Sequence, residues 1–87
     1  MSIKKIFTVY DAKSEAYLPP FFVRSLGEAT RSFSDACNDT KHDFFRHSSD
    51  FTLFELGSFD ELTGILTPLP SPVARGNAVE FKGVDSD

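Results

Sequence analysis

The sequence predicts an α+β fold of two layers: a mostly antiparallel sheet of three to five strands with one main helix, in the order β-β-α-β-β. Three observations lead there. Residues 3–10 and 51–56 are dominated by β-branched and aromatic side chains, the composition of strands. Between them, Leu26, Ala29, Phe33, Ala36 and Cys37 recur at helical spacing. The whole chain has 87 residues, enough for one domain and too few for two. That domain is assigned to residues 1–82, with residues 83–87 as an acidic tail.

The first strand is expected over residues 3–10. Asp11 to Ser14 reads as a turn, because short polar side chains bond their own backbone. Pro19 and Pro20 hold the chain extended, since each ring fixes φ and the residue before a proline avoids the helical region. Residues 21–23 then form a short strand with the prolines at its start, where a strand tolerates them. Its two adjacent Phe rings point to opposite faces. Ser25 is the expected N-cap of the helix, and Glu28 three residues later suggests a capping box. Arg31 and Asp35 stand at i,i+4, a pair worth about 0.2–0.5 kcal/mol. Asn38 and Asp39 end the helix. Residues 39–50 form a polar surface loop with room for one helical turn around Phe44 and Phe45.

Residues 51–56 make the second strong strand, with an extension to Phe59. Both of its faces are largely apolar, which places it centrally in the sheet. Residues 60–64 are a hairpin loop with Gly64 in the left-handed region. Residues 65–67 return as a sheet partner. Pro68, Pro70 and Pro72 then interrupt regular structure, so residues 68–77 are expected as a loop along the sheet and residues 78–81 as a weak edge strand.

Ten Phe and two Tyr are more than one small core hides, so some rings are expected at a ligand or self-association surface. The lone cysteine, Cys37, allows no intramolecular disulfide and points to a reducing compartment. No stretch approaches the roughly 18 apolar residues of a membrane span, and no apolar run follows the early lysines as in a signal peptide. A soluble intracellular protein with no membrane partner is expected. The net charge of −4 is uneven: residues 1–46 sum to +1 and residues 47–87 to −5. A nucleic-acid surface needs clustered cations, and only the N-terminal half leaves room for one.

Cys37, His42 and His47 are five residues apart with Asp43 beside them. These are zinc-ligand types, but their spacing matches no closed structural site, so no metal or cofactor is expected. Cys37 falls near a helix C-terminus as a buried thiol, the opposite of a reactive setting. Asp60 and Glu61 read as solvated turn residues, and Gly57 and Gly64 fit no phosphate loop. No set of base, nucleophile and orienting group emerges, which points to a non-enzymatic protein.

The remaining pattern is aromatic plus basic: Lys4, Lys5, Tyr10, Lys13, Tyr17, Phe22 and Arg24, with Lys41 and Arg46 flanking Phe44 and Phe45. Single-stranded nucleic acid is gripped this way, cations tracking the phosphates while rings stack on bases at about 1–3 kcal/mol each. In that reading Tyr10, Tyr17 and Phe22 stack, and the lysines and arginines contact the backbone. The competing reading makes the same rings core or oligomer contacts.

Residues 6–22, Ile-Phe-Thr-Val-Tyr-Asp-Ala-Lys-Ser-Glu-Ala-Tyr-Leu-Pro-Pro-Phe-Phe, resemble the opening of the small non-structural protein of gokushovirus-type microviruses. Residues 50–60, followed by Thr63 and Gly64, resemble that family's second characteristic stretch, and Gly27, Glu28, Ala29 and Phe33 fit its pattern between them. With residues 68–81 included, the similarity spans nearly the whole chain. It implies a phage protein made in the bacterial cytoplasm and absent from the mature particle. The family is described as DNA-binding and is likened to the small microvirus protein that switches replication to single-strand synthesis coupled to packaging. It brings no agreed active site.

The expected function is therefore a phage accessory protein for single-stranded DNA synthesis and packaging, binding single-stranded DNA weakly. The alternative is an adaptor that dimerises and docks on a viral or host replication or packaging protein, or on a procapsid, without touching DNA. Folding decides between them. DNA binding needs the early cations gathered around outward-facing rings, whereas cations scattered or tied into ion pairs favour the adaptor.

Overall fold

The computed structural model describes residues 2–83. In chain order they form β1 (Ile3–Asp11), β2 (Ala16–Tyr17), β3 (Phe21–Val23), α1 (Leu26–Cys37), α2 (Asp43–Arg46), β4 (Phe51–Asp60), β5 (Leu66–Asn77) and α3 (Ala78–Phe81). A short 3-10 turn over Ser48–Asp50 leads into β4. The sheet runs β2-β1-β4-β5, β3 shares the outer edge of β1 with β2, and every pairing is antiparallel. This is the expected α+β class, with five strands and one main helix.

Alternation along the two long strands separates two faces. Phe7 and Val9 of β1, with Phe51 and Leu53 of β4, point to the helical layer and are buried there with Ala29, Phe33 and Cys37 of α1. The rings interlock: Phe33 lies 5.4 Å from Phe44 and Phe44 lies 4.6 Å from Phe51, centroid to centroid. Of the adjacent pair on β3, Phe21 turns in to stack on Phe7 at 6.1 Å, while Phe22 turns out. Ser25 caps α1 by accepting from the Glu28 N–H at 3.1 Å. The capping box is not reciprocal, however: the Glu28 carboxylate accepts from the backbone N–H and guanidinium of Arg24 instead of the Ser25 N–H.

Three local expectations are corrected. The segment after the hairpin does not leave the sheet at Pro68, because β5 runs on to Asn77. It lies on an edge, where a missing N–H faces solvent and removes no ladder bond. The register shift between Glu55 and Gly57 of β4 absorbs residues 69–72, and a second one between Leu53 and Phe54 absorbs Arg75. Residues 78–81 are a helical turn rather than an edge strand. Asn77 accepts from Val79 N–H, Glu80 reaches back to Asn77 N–H at 2.7 Å, and this capping box starts α3. The two-residue β2 forms where Tyr17 pairs with Tyr10, in a stretch read as turn and extended chain. The expected tail falls mostly outside the described residues.

Asn38, expected only to end α1, also anchors α3. Its side-chain amide donates to Ser34 O at 2.8 Å and Phe81 O at 3.0 Å, and its oxygen accepts from Gly83 N–H at 2.6 Å. Phe81 thereby sits on Phe33 at 5.5 Å and against Gly76, whose φ of 146° and missing Cβ make room for the ring.

Candidate functional site: the uncovered sheet face

All three helices lie on one side of the sheet, so the even-numbered side chains of β1 face the other way with no layer over them. Cross-strand neighbours on that side are set by the register. Tyr10 stands opposite Tyr17 and Thr52, Thr8 opposite Phe54, Ile6 opposite Phe22 and Gly57, and Lys4 opposite Phe59. Tyr10, Tyr17 and Phe54 form a triangle with centroids 4.8, 5.6 and 6.3 Å apart. Phe22 and Phe59 meet edge to face at 5.7 Å across β1, above Ile6. Five of the twelve aromatic rings counted in the sequence thus sit on this face.

Between the two ring groups lies a groove of about 510 Å³ lined by Tyr17, Pro19, Pro20, Leu56 and Pro72 over Thr8. Thr8 is buried, and its hydroxyl donates to Leu18 O at 2.5 Å, which satisfies the polar atom at the groove floor. The prolines hold the wall extended. Tyr17 and Phe22 remain about half exposed, at 51% and 49%. The chemistry of this face is apolar and uncharged across its middle. It fits rings, prolines or aliphatic side chains.

The cations do not gather around these rings. Lys4 pairs with Glu61 at 2.9 Å, Lys5 with Glu55 at 3.3 Å, Arg24 with Glu28 at 3.1 Å, and Arg46 with Asp43 at 2.7 Å. Lys5 lies on the helix-side face with Glu55, not with the rings. Lys4 and Arg24 stand at one end of β1 and Lys13 beyond the other, roughly 25 Å away at the rise of a strand. Lys13 is next to Asp11, whose carboxyl is held below its ordinary value by a hydrogen bond from the Ser14 hydroxyl, with help from the backbone N–H and charge of Lys13. Lys41 is exposed in the loop between α1 and α2, and Lys82 lies over the Phe45 ring at 4.3 Å. Of the residues expected to grip DNA, Tyr10, Tyr17 and Phe22 therefore share one face, while the six cations are spread around the domain and four of them have carboxylate partners.

Phe54, Leu56 and Phe59 belong to the face but not to the sequence-derived set. Their signal was present in period-two alternation: once Tyr10 is assigned outward, antiparallel pairing with β4 puts alternate β4 residues beside it. The doubly apolar character of that strand does not by itself tell its two faces apart.

The remaining chemistry-bearing residues have structural duties. Burial pushes the Cys37 thiol up to about 11. His42 accepts from Phe44 N–H at 3.1 Å as the cap of α2 and packs on the Phe44 ring. Asp60 accepts from Leu62 N–H at 2.9 Å in the hairpin, where Gly64 has φ 75°. Beyond it, Leu62 and Ile65 project from the tip at 83% and 59% exposure. Among the described residues no helix is long and apolar enough to cross a membrane.

Comparison with known proteins gives one match. The family model described as Phage ORF5 protein matches residues 4–81. That span takes in the five strands, save the first residue of β1, and the three helices. No curated protein and no solved structure matches the chain.

Proposed function

The chain belongs to the Phage ORF5 protein family, and from that premise we propose that it is a non-enzymatic accessory protein that works by protein contact in the host cytoplasm. The gokushovirus-type resemblance supports a role in single-stranded DNA synthesis and packaging, with a replication or procapsid protein as the partner. One observation weighs most: the uncovered sheet face is aromatic and uncharged in its middle, while the cations are spread out and largely neutralised. A phosphate backbone is attracted through unpaired cations, which supply essentially all non-specific affinity. An apolar face rimmed by polar residues is instead the signature of a protein contact. The exposed Leu62 and Ile65 give the hairpin tip a second apolar contact, away from the face.

A photo-reactive amino acid placed at Phe22 or at Leu62 during infection tests this. The expected products are adducts with a phage replication or procapsid protein. Recovery of neither protein from either position would defeat the adaptor reading.

A second reading has its own support. The clustering of Tyr10, Tyr17 and Phe54 on an open sheet face is also a platform on which single-stranded DNA stacks. Fluorescence anisotropy with a labelled oligonucleotide separates the two. Binding at about 50 mM salt that weakens steeply with added salt, and is lost in Tyr17→Ala, would favour DNA. No binding leaves protein contact.

A further inference from the structure

We propose that a second copy of this chain covers the aromatic face, two sheets packing face to face across a twofold axis. The inference rests on reading that face as a protein-contact surface, and three features of it single out a second copy as the occupant.

The first is size. β1, β4 and β5 are 9, 10 and 12 residues long, and the short β2 and β3 share the fourth position; at about 4.8 Å between strands and about 3.3 Å per residue the face measures roughly 15 by 30 Å. Two such faces together remove roughly 900 Å² from water, the size of a weak, concentration-dependent contact rather than of a permanent dimer. Half-exposed Tyr17 and Phe22 alone supply about 100 Å² each. The second is charge. A protein of net charge −4 repels its copies unless the contact leaves the carboxylates out. Here the middle of the face has none, and at its rim Lys4 is neutralised by Glu61. Asp11, Asp43 and Asp50 group around a separate small pocket at the far end of β1. The third is shape. An isologous contact must be complementary to itself, and this surface has both parts: outward Phe22 and Leu66 as projections, and the groove between Tyr17 and Pro72 as the recess.

Edge-to-edge pairing, the other route to a β-rich dimer, is closed off. β5 has Pro68, Pro70 and Pro72 at alternate positions, and the opposite edge is broken into strands of two and three residues. Packed sheets would sit about 10 Å apart with strands within about 30° of alignment.

Sedimentation velocity of the full chain, from about 5 µM to 0.5 mM, tests the proposal. The expected mass at high concentration is twice 9.7 kDa. Phe22→Asp and Tyr17→Asp each replace an exposed ring and are expected to weaken association at least about tenfold, by about 1.4 kcal/mol, with unchanged circular dichroism. Leu62→Asp, at the hairpin tip, should leave association unchanged. A monomer at the highest concentration overturns the proposal, as does a dimer indifferent to both ring substitutions. If a ring variant misfolds, isotope-filtered NOEs in the unaltered protein decide. Contacts between copies must include Phe22, Tyr17 or Leu66, and contacts elsewhere overturn the proposal. The adaptor reading fails separately: a monomer whose Phe22 still captures a replication or procapsid protein removes only the dimer. A dimer that captures neither protein removes only the adaptor.

Discussion

Glu55 offers the sharpest test of how this small domain is held together. It is the one buried carboxylate among the described residues, with its side chain 7% exposed on the helix-side face of β4. One oxygen accepts two hydrogen bonds from Arg75, at 3.0 and 2.7 Å, and the other accepts from Lys5 at 3.3 Å. Burial by itself pushes the carboxyl up, but the bonds from Arg75 and Lys5 outweigh it and hold the carboxyl below its ordinary value. A carboxyl with a depressed folded pKa adds stability that is complete above its unfolded pKa and disappears as pH falls through the folded one. The size of the effect follows from exposure. Breaking a fully buried pair costs about 3–5 kcal/mol, whereas an exposed pair is worth about 0–1 kcal/mol. Lys5 and Arg75 are 43% and 36% exposed and can return to water, so the cluster belongs between these limits. Glu55→Gln keeps the shape and removes the charge. It should cost about 1.5 kcal/mol at pH 7, a fall of roughly 1.5 M in the urea midpoint for a slope near 1 kcal/mol per M. The gap between the two proteins should begin to narrow as pH falls past the ordinary Glu value of about 4.3 and close as it falls through the lower value of Glu55 in the folded chain. Urea titrations of both proteins at pH 7 and pH 3 measure it. A difference that stays the same at both pH values would show that packing or the amide, and not the charge, sets the effect.

Other consequences follow from single atoms. A Cβ on Gly57 would meet Thr67 O and come 2.8 Å from Pro68 Cα, both backbone atoms of β5; Gly57→Ala should therefore destabilise by about 1–3 kcal/mol despite the gain in chain stiffness, read as a lower melting temperature. Asn77→Ala removes the cap of α3 and its bonds to Ser49 O and Thr52 Oγ1, both 3.1 Å; it should cost about 1–2 kcal/mol and increase hydrogen exchange at residues 78–83 before the rest of the sheet. Cys37, with its thiol raised to about 11 and fully buried, should react with a disulfide reagent at pH 8 only at the rate of global unfolding, and fast labelling in native buffer would contradict its place in the core.

What the sequence made legible were the features decided by neighbours along the chain. The α1 stripe, the Ser25 cap, the Gly64 hairpin and the outward turn of Phe22 all depend on spacings of a few residues. Where tertiary position overrides local preference, sequence reading failed. Three prolines in six residues argue against a strand, unless that strand lies on an edge and can bulge, and nothing within residues 68–73 says that it does. Residues 78–81 have the β-branched and aromatic character of a strand, yet the Asn77–Glu80 box, visible in the sequence and passed over, decides for helix. The cations misled for a similar reason. Lys4 and Lys5 are adjacent in sequence, but strand alternation sends them to opposite faces, where each meets a carboxylate from β4 or the hairpin some fifty residues away.

The apolar character of β4 on both faces has two different causes. Its odd positions, Phe51 and Leu53, are apolar because α1 and α2 bury them. Its even positions, Phe54 and Leu56, have no layer above them and are only half-buried, largely by each other's neighbours on β1 and β2. A domain with one 12-residue helix, about 18 Å long, can cover one face of this sheet and not two. Folding alone would be served by polar side chains on the second face, the usual pattern for an antiparallel sheet with one solvated side. Aromatic side chains there add little to the isolated fold and raise the tendency to associate. The uncovered rings are thus the feature that core formation leaves unexplained, and contact with another molecule explains it.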